Sequence, residues 1–177
     1  MGSYLARAAM KTIVFLLLAP TIGFSGPAQR PPLSNLKPKV KTVYNNRLLE
    51  LATKELTVPH LRRIYGSTLR ISKISRNIHE PAVKDTLLTA NTKADHLKFF
   101  SNKYNFFLLS AEITSHKLAF GGGVQIGAKK STFCKAFGLP GTFDGYQFAD
   151  AEGGSNIYFL FRQGVLVSVS YDVGWVD

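Results

Sequence analysis

The stretch GGGVQIGAKKSTF, residues 121–133, is where phosphate chemistry would be sought first, because four residues separate Gly122 from Gly127 and lysines and a serine follow. In a phosphate-cradling loop the lysine comes directly after the second glycine and a hydroxyl residue directly after the lysine, so that backbone amides and ammonium converge on the same phosphates. Ala128 stands where that lysine belongs. Shifting the ammonium to Lys129 or Lys130 turns it roughly 100 to 200 degrees around a helix from where it must point. No apolar strand ending in aspartate is present to hold magnesium, and three glycines followed by Gly127 lack the 1-3-6 spacing of a dinucleotide loop. The segment therefore reads as a strand ending at KLAF, a flexible turn, a short strand VQI and the start of a helix, and no nucleotide or other cofactor is expected.

Other reactive groups are scattered. His60, His79, His96 and His116 have no histidine partner at i+3 or i+4, the spacing a helix-borne metal site uses. Asp144, Asp150, Glu152 and Asn156 could offer oxygens to calcium, but their spacing matches no EF-hand loop and the surrounding glycines favour a turn. No nucleophile elbow occurs, and the one S-x-x-K, Ser34 to Lys37, falls in proline-rich sequence that cannot present it on a helix. Cys134 is the sole cysteine, so the chain can form no internal disulfide, and its place among core residues of STFCKAF suits a small buried thiol.

The elements that would position these groups follow from periodicity. Arg7 and Lys11 precede an apolar run from Thr12 to Phe24 and then small residues, the pattern of a secretory signal peptide over residues 1–25, with cleavage expected after Ser25 or after Ala28. Pro20 and Gly23 interrupt the run before it is long enough to span a bilayer, so no transmembrane span is expected in the mature chain. Residues 26–41 are rich in proline and cations and read as an extended linker. One α+β domain over 42–177 is expected to follow, beginning with a hairpin turned at Asn45-Asn46.

Within that domain LTVPHLRRIYG and AKKSTFCKAFG match at an offset of 72 residues: Leu61, Ile64 and Tyr65 repeat the i, i+3, i+4 face of Phe133, Ala136 and Phe137. Downstream, HLKFFSNKYNFFLLSAEI and IYFLFRQGVLVSVSYDV each read as strand, turn and longer strand, at an offset of about 61. Leu97 and Phe99 alternate with Lys98 and Phe100; Tyr104, Phe106 and Leu108 should share one face, as should Val165, Val167, Val169 and Tyr171. The offsets place an insertion of about eleven residues, expected as a variable loop, within residues 74–95. The fold class expected is thus two tandem helix-plus-hairpin repeats, about 42–113 and 114–177, sharing an antiparallel sheet with short helices packed on it.

With that pattern, VQIGAKKSTFCKAFGLP followed by YFLFRQGVLVSVSY resembles the small exported domains of the SmpA/OmlA outer-membrane assembly lipoproteins and of β-lactamase-inhibitor-like proteins. The matched positions are Gly127, Gly138 and Pro140 in the second copy; only Gly66 is kept in the first, where Ser67 and Thr68 replace the proline turn. The resemblance implies a non-enzymatic periplasmic binding or assembly module. This chain departs from the lipoproteins in having no cysteine at the end of the signal to accept a lipid.

Charge sharpens the expectation about partners. The net charge is +11, and residues 30–130 hold 18 Lys+Arg against 6 Asp+Glu, whereas residues 131–177 hold 2 against 5. Such a surface favours an envelope protein or an anionic surface as partner; nucleic acid is disfavoured by export and by the alternation that spends the aromatic rings on a sheet core. Arg62, Arg63, Arg70 and Lys73, close to the first helix, are the expected anchors for a protein partner. A small hydrolase or ligand carrier is the rival, requiring two or more of Glu80, Glu112, Asp144 and His116 to converge in a cleft between the copies. Binding to an anionic polymer is the third reading.

Overall fold

Ten strands and three α-helices account for most of residues 37–174, the part of the chain that the computed structural model describes. The signal peptide expected at 1–25, its cleavage points and the linker up to residue 36 lie outside the described residues. In chain order the elements are β1 (Val40–Tyr44), α1 (Asn46–Thr53), α2 (Val58–Tyr65), β2 (Leu69–Arg76), β3 (Lys84–Asn91), β4 (Asp95–Ser101), β5 (Phe106–Ile113), β6 (Ala119–Phe120), β7 (Val124–Gln125), α3 (Lys130–Phe137), β8 (Gly145–Ala149), β9 (Ser155–Arg162) and β10 (Val165–Val173). This is an α+β fold. Eight of the strands form one sheet in the order β1-β8-β9-β10-β5-β4-β3-β2, antiparallel except where β1 runs parallel to β8, and β6 pairs with β7 in a small ribbon.

Both anticipated helices form where the i, i+3, i+4 faces place them. In α2, Leu61 and Tyr65 are buried with Ile64 at the margin; in α3, Phe133 and Phe137 are buried with Ala136 at the margin. Gly138 closes α3 in the left-handed conformation at φ 66°, which a side chain would resist. Gly66 ends α2 differently, staying right-handed and leading into a short 3-10 turn over Gly66–Thr68.

Four expectations are corrected. Asn45-Asn46 does not turn a hairpin: Asn45 caps α1, its side chain accepting a hydrogen bond from the Leu48 amide at 3.1 Å. The residues that follow, Arg-Leu-Leu-Glu-Leu-Ala, are good helix formers and bury Leu49 and Ala52 on one side. The expected variable loop is instead mostly the ordered hairpin β2–β3, because alternating residues of both arms find ladder partners, from Leu69 opposite Ala90 to Arg76 opposite Lys84. In β10 a bulge between Leu166 and Ser168 inserts one residue, so Leu166 and Val169 point inward rather than Val165, Val167 and Val169 together. The first strand also begins earlier than the domain expected from residue 42, at Val40.

Two of the three glycines have a packing role, and Gly123 serves only the turn, with φ 74°. Between β6 and β7, a Cβ on Gly121 would stand 2.6 Å from the Leu51 carbonyl of α1, and one on Gly122 would stand 2.7 Å from Ala136 Cβ of α3. The turn is thus squeezed between two helices, and Gly122 also has φ 69°. The adjoining lysine is spoken for, since Lys130 Nζ donates to the Phe143 carbonyl at 3.1 Å.

Candidate functional site

One face of the sheet is closed by the helices, except along β2. Ala90, Leu97, Phe99, Ala111, Ile113, Val169, Ile157, Phe159 and Phe148 join Leu49, Ala52, Leu61, Tyr65, Phe133 and Phe137 of the helices in a single core. Because successive strand residues point to opposite faces, their neighbours in sequence point away from the helices, and most of these are polar, Phe100, Ala149 and Leu160 being the apolar ones. One row in register runs Asn91, His96, Glu112, Ser170, Tyr158, Gln147 and Thr42 across seven strands. The next runs Arg70, Thr89, Lys98, Ser110, Asp172 and Asn156.

Where β3, β4, β5 and β10 meet, the two rows border an open groove of about 520 Å³, whose side chains include Thr89, Asn91, His96, Lys98, Ser110, Glu112, Ser170 and Asp172. His96 Nδ1 lies 3.3 Å from Asn91 Oδ1. Lys98, Glu112 and Asp172 form no ion pair among the described residues. The groove offers both signs of charge, an imidazole and the hydroxyls of Thr89, Ser110 and Ser170 in a row-and-column array, a surface suited to hydrogen-bonding an extended or flat partner. Its order does not suit a hydrolytic triad: Glu112 stands between His96 and Ser170, and the serine is two strand spacings, about 9.5 Å, from the imidazole that would have to activate it.

The residues singled out in the sequence are dispersed. Arg62 lies on the helical side with its guanidinium 4.0 Å from the centre of the Phe106 ring. Arg63 meets His60 Nδ1 at 2.8 Å. Arg70 stands on the open face and donates to the carbonyls of Ser67 and Leu69, and Lys73 is exposed on the outermost strand. Glu80 is held by Lys103 and Tyr104, each at 2.7 Å, and these contacts keep its carboxyl below the usual range. Asp144 accepts from the Lys39 amide. Of Glu80, Glu112, Asp144 and His116, two or more of which the hydrolase reading needs in one cleft, only Glu112 borders the groove. Asp150, expected as a possible calcium ligand, accepts from the Gly154 amide at 2.8 Å, and no group of three or more acidic, histidine or cysteine side chains is placed to hold a metal among the described residues. Cys134 is buried, with Sγ 3.8 Å from the Tyr146 hydroxyl. That hydroxyl also donates to the Pro140 carbonyl, and burial, then the Cys134 contact, pushes the phenol up to about 12.

Sequence reasoning missed the buried carboxylate of Asp95. It accepts from the Tyr65 hydroxyl at 2.9 Å, the Thr114 amide at 3.0 Å, and the Ser115 amide and hydroxyl at 2.9 and 2.6 Å. Burial works against its charge, yet these donors outweigh that penalty and hold the carboxyl below its ordinary range. The same burial, reinforced by the hydrogen bond to Asp95 and its charge, raises the Tyr65 phenol far above its own. With every charge-facing lone pair engaged, Asp95 fastens α2 to the turn after β5. Apart from Glu112 and His96, the groove residues were missed for another reason: they are the polar complement of strands read for their apolar face.

No helix among the described residues is long and apolar enough to cross a membrane. Set against known protein families, curated proteins and solved structures, the chain matches none of them.

Proposed function

We propose that the protein is an exported, non-enzymatic binding or assembly module of a bacterial envelope, engaging a protein partner on the open face of its sheet. The observation that carries this reading is the asymmetry of the sheet: helices and core close one face, while the other presents two in-register polar rows around an unfilled groove. Rigid strands hold those side chains in place, which reduces the ordering cost of binding. Arg70, in the same row as Lys98, extends the surface toward β2. The resemblance to the SmpA/OmlA and β-lactamase-inhibitor-like domains and the signal-like residues 1–25 support the envelope assignment.

The reading includes a duplicated unit. In its favour, β5 and β10 pair at the middle of the sheet, the strands on either side run outward as β4, β3 and as β9, β8, and α2 and α3 bury corresponding residues. In this alignment β2 is the inserted element, with no counterpart between α3 and β8.

A photo-crosslinking residue at Ser110, compared with one at the exposed Lys135 of α3, tests the surface in envelope extract. The expected result is one partner crosslinked from position 110 and lost when Lys98→Glu and Glu112→Lys are combined. A partner captured equally from position 135, or one indifferent to the groove charges, would overturn the reading.

A further inference from the structure

The turn between β2 and β3 and the turn between β4 and β5 lie together at one end of the sheet, and they are tied into one body. Asp85 accepts from the side-chain amides of both Asn77 and Asn102, at 3.0 and 3.1 Å, and Glu80 takes Lys103 and Tyr104 from the other turn. On this rigid end the large apolar side chains face water: Ile78 is 87% exposed, Tyr104 64% and Ile74 56%, and Ile71 further up β2 is 62% exposed. None of them lines the groove bordered by β3, β4, β5 and β10.

Cations collar this apolar tip. Arg76 and Lys84 stand directly opposite each other at the base of the β2–β3 turn, and neither has an ion-pair partner among the described residues. Like charges so placed destabilise a hairpin, unless an external anion sits between them. The acids nearby, Glu80 and Asp85, are already occupied within the tip. We infer that this end of the sheet docks onto an anionic lipid surface, Ile78 and Tyr104 entering the headgroup region while Arg76 and Lys84 engage the lipid phosphates. A fluid interface takes up protruding apolar groups without a matching pocket, and tyrosine is favoured at that depth. An acidic polypeptide adding to the edge of β2 is the less suited occupant, because the bulge at Ser72 and the exposed Lys73 interrupt that edge.

The test is flotation of the full chain with vesicles of phosphatidylcholine alone and vesicles containing phosphatidylglycerol. Binding is expected only to the second kind, falling with salt. Partitioning should drop about fivefold for each cation lost at Arg76 or Lys84, and about tenfold in Ile78→Asp, while Lys135→Glu, remote on α3, retains binding. Equal losses in Lys135→Glu would assign the effect to net charge and overturn the proposal. So would binding to both vesicle types that survives the tip variants, which would belong to the apolar residues 12–24, and so would tip-dependent binding to polyglutamate without binding to vesicles.

Discussion

The two halves of the sheet are closed by different physics. Over β8, β9 and β10, α3 inserts Phe133 among five aromatic rings, those of Phe137, Tyr146, Phe148, Phe159 and Phe161, at centroid distances of 4.7 to 6.1 Å. The start of the chain adds to this half, since β1 pairs with β8 and α1 packs beside the glycine turn. Over β2 to β5, α2 is seated by Leu61, by Arg62 on the Phe106 ring, and by the Tyr65–Asp95 bond. Here the sheet outruns its helical cover, leaving Ile71 and Ile74 in water. Dispersion among rings seals the first half completely. A hydrogen-bonded carboxylate fixes the second at one point and leaves its outer edge free for contacts outside the chain.

Removing the central ring should produce the largest effect. Phe133→Ala is expected to cost about 3–5 kcal/mol in denaturant unfolding, and a clearly greater loss in Leu61→Ala would break the contrast between the two closures.

The polar closure should show itself in its response to pH. Because the folded state holds the Asp95 carboxyl below its unfolded value, the stability it contributes is present above an unfolded pKa of about 3.9. That stability is lost as pH falls through the folded value. Asp95→Asn is expected to cost about 1–3 kcal/mol at neutral pH, with the gap to the wild type closing in acid; a gap independent of pH would mean that the carboxylate charge plays no part. Tyr65 works at the other limb: its raised phenol stabilises the fold below about pH 10, and this contribution disappears as pH rises further.

The smallest effect sharpens the account of how the chain enters the ring-packed half. Asn45→Ala should cost about 1 kcal/mol through loss of the cap on α1, read from thermal unfolding. An unchanged midpoint would show that tertiary packing alone holds this helix.

Much of this architecture was legible in local spacing. The faces of α2 and α3, the hairpins β4–β5 and β9–β10 and the glycine turn all follow from short-range periodicity. The misread places share a cause, which is that local chemistry had two outlets. Asparagine can open a turn or cap a helix; an alternating segment between punctuation marks can be loop or hairpin; and one bulge residue reverses a face. The groove was only half legible. Leu97 and Phe99 advertise a buried side, which implies that His96 and Lys98 point outward, but nothing in the chain says that Glu112 and Ser170 fall in line with His96.

From its amino acids alone the chain determined an α+β class, the apolar faces of α2 and α3 and the rejection of a phosphate loop, because each depends on residues within a few positions of one another. Only the tertiary structure decided that β5 meets β10, that Asp95 gathers four donors and that two distant turns share one cationic, apolar end. Those outcomes depend on pairings across tens of residues, where loop closure costs little more for one partner than for another and the choice is made by how the whole core packs.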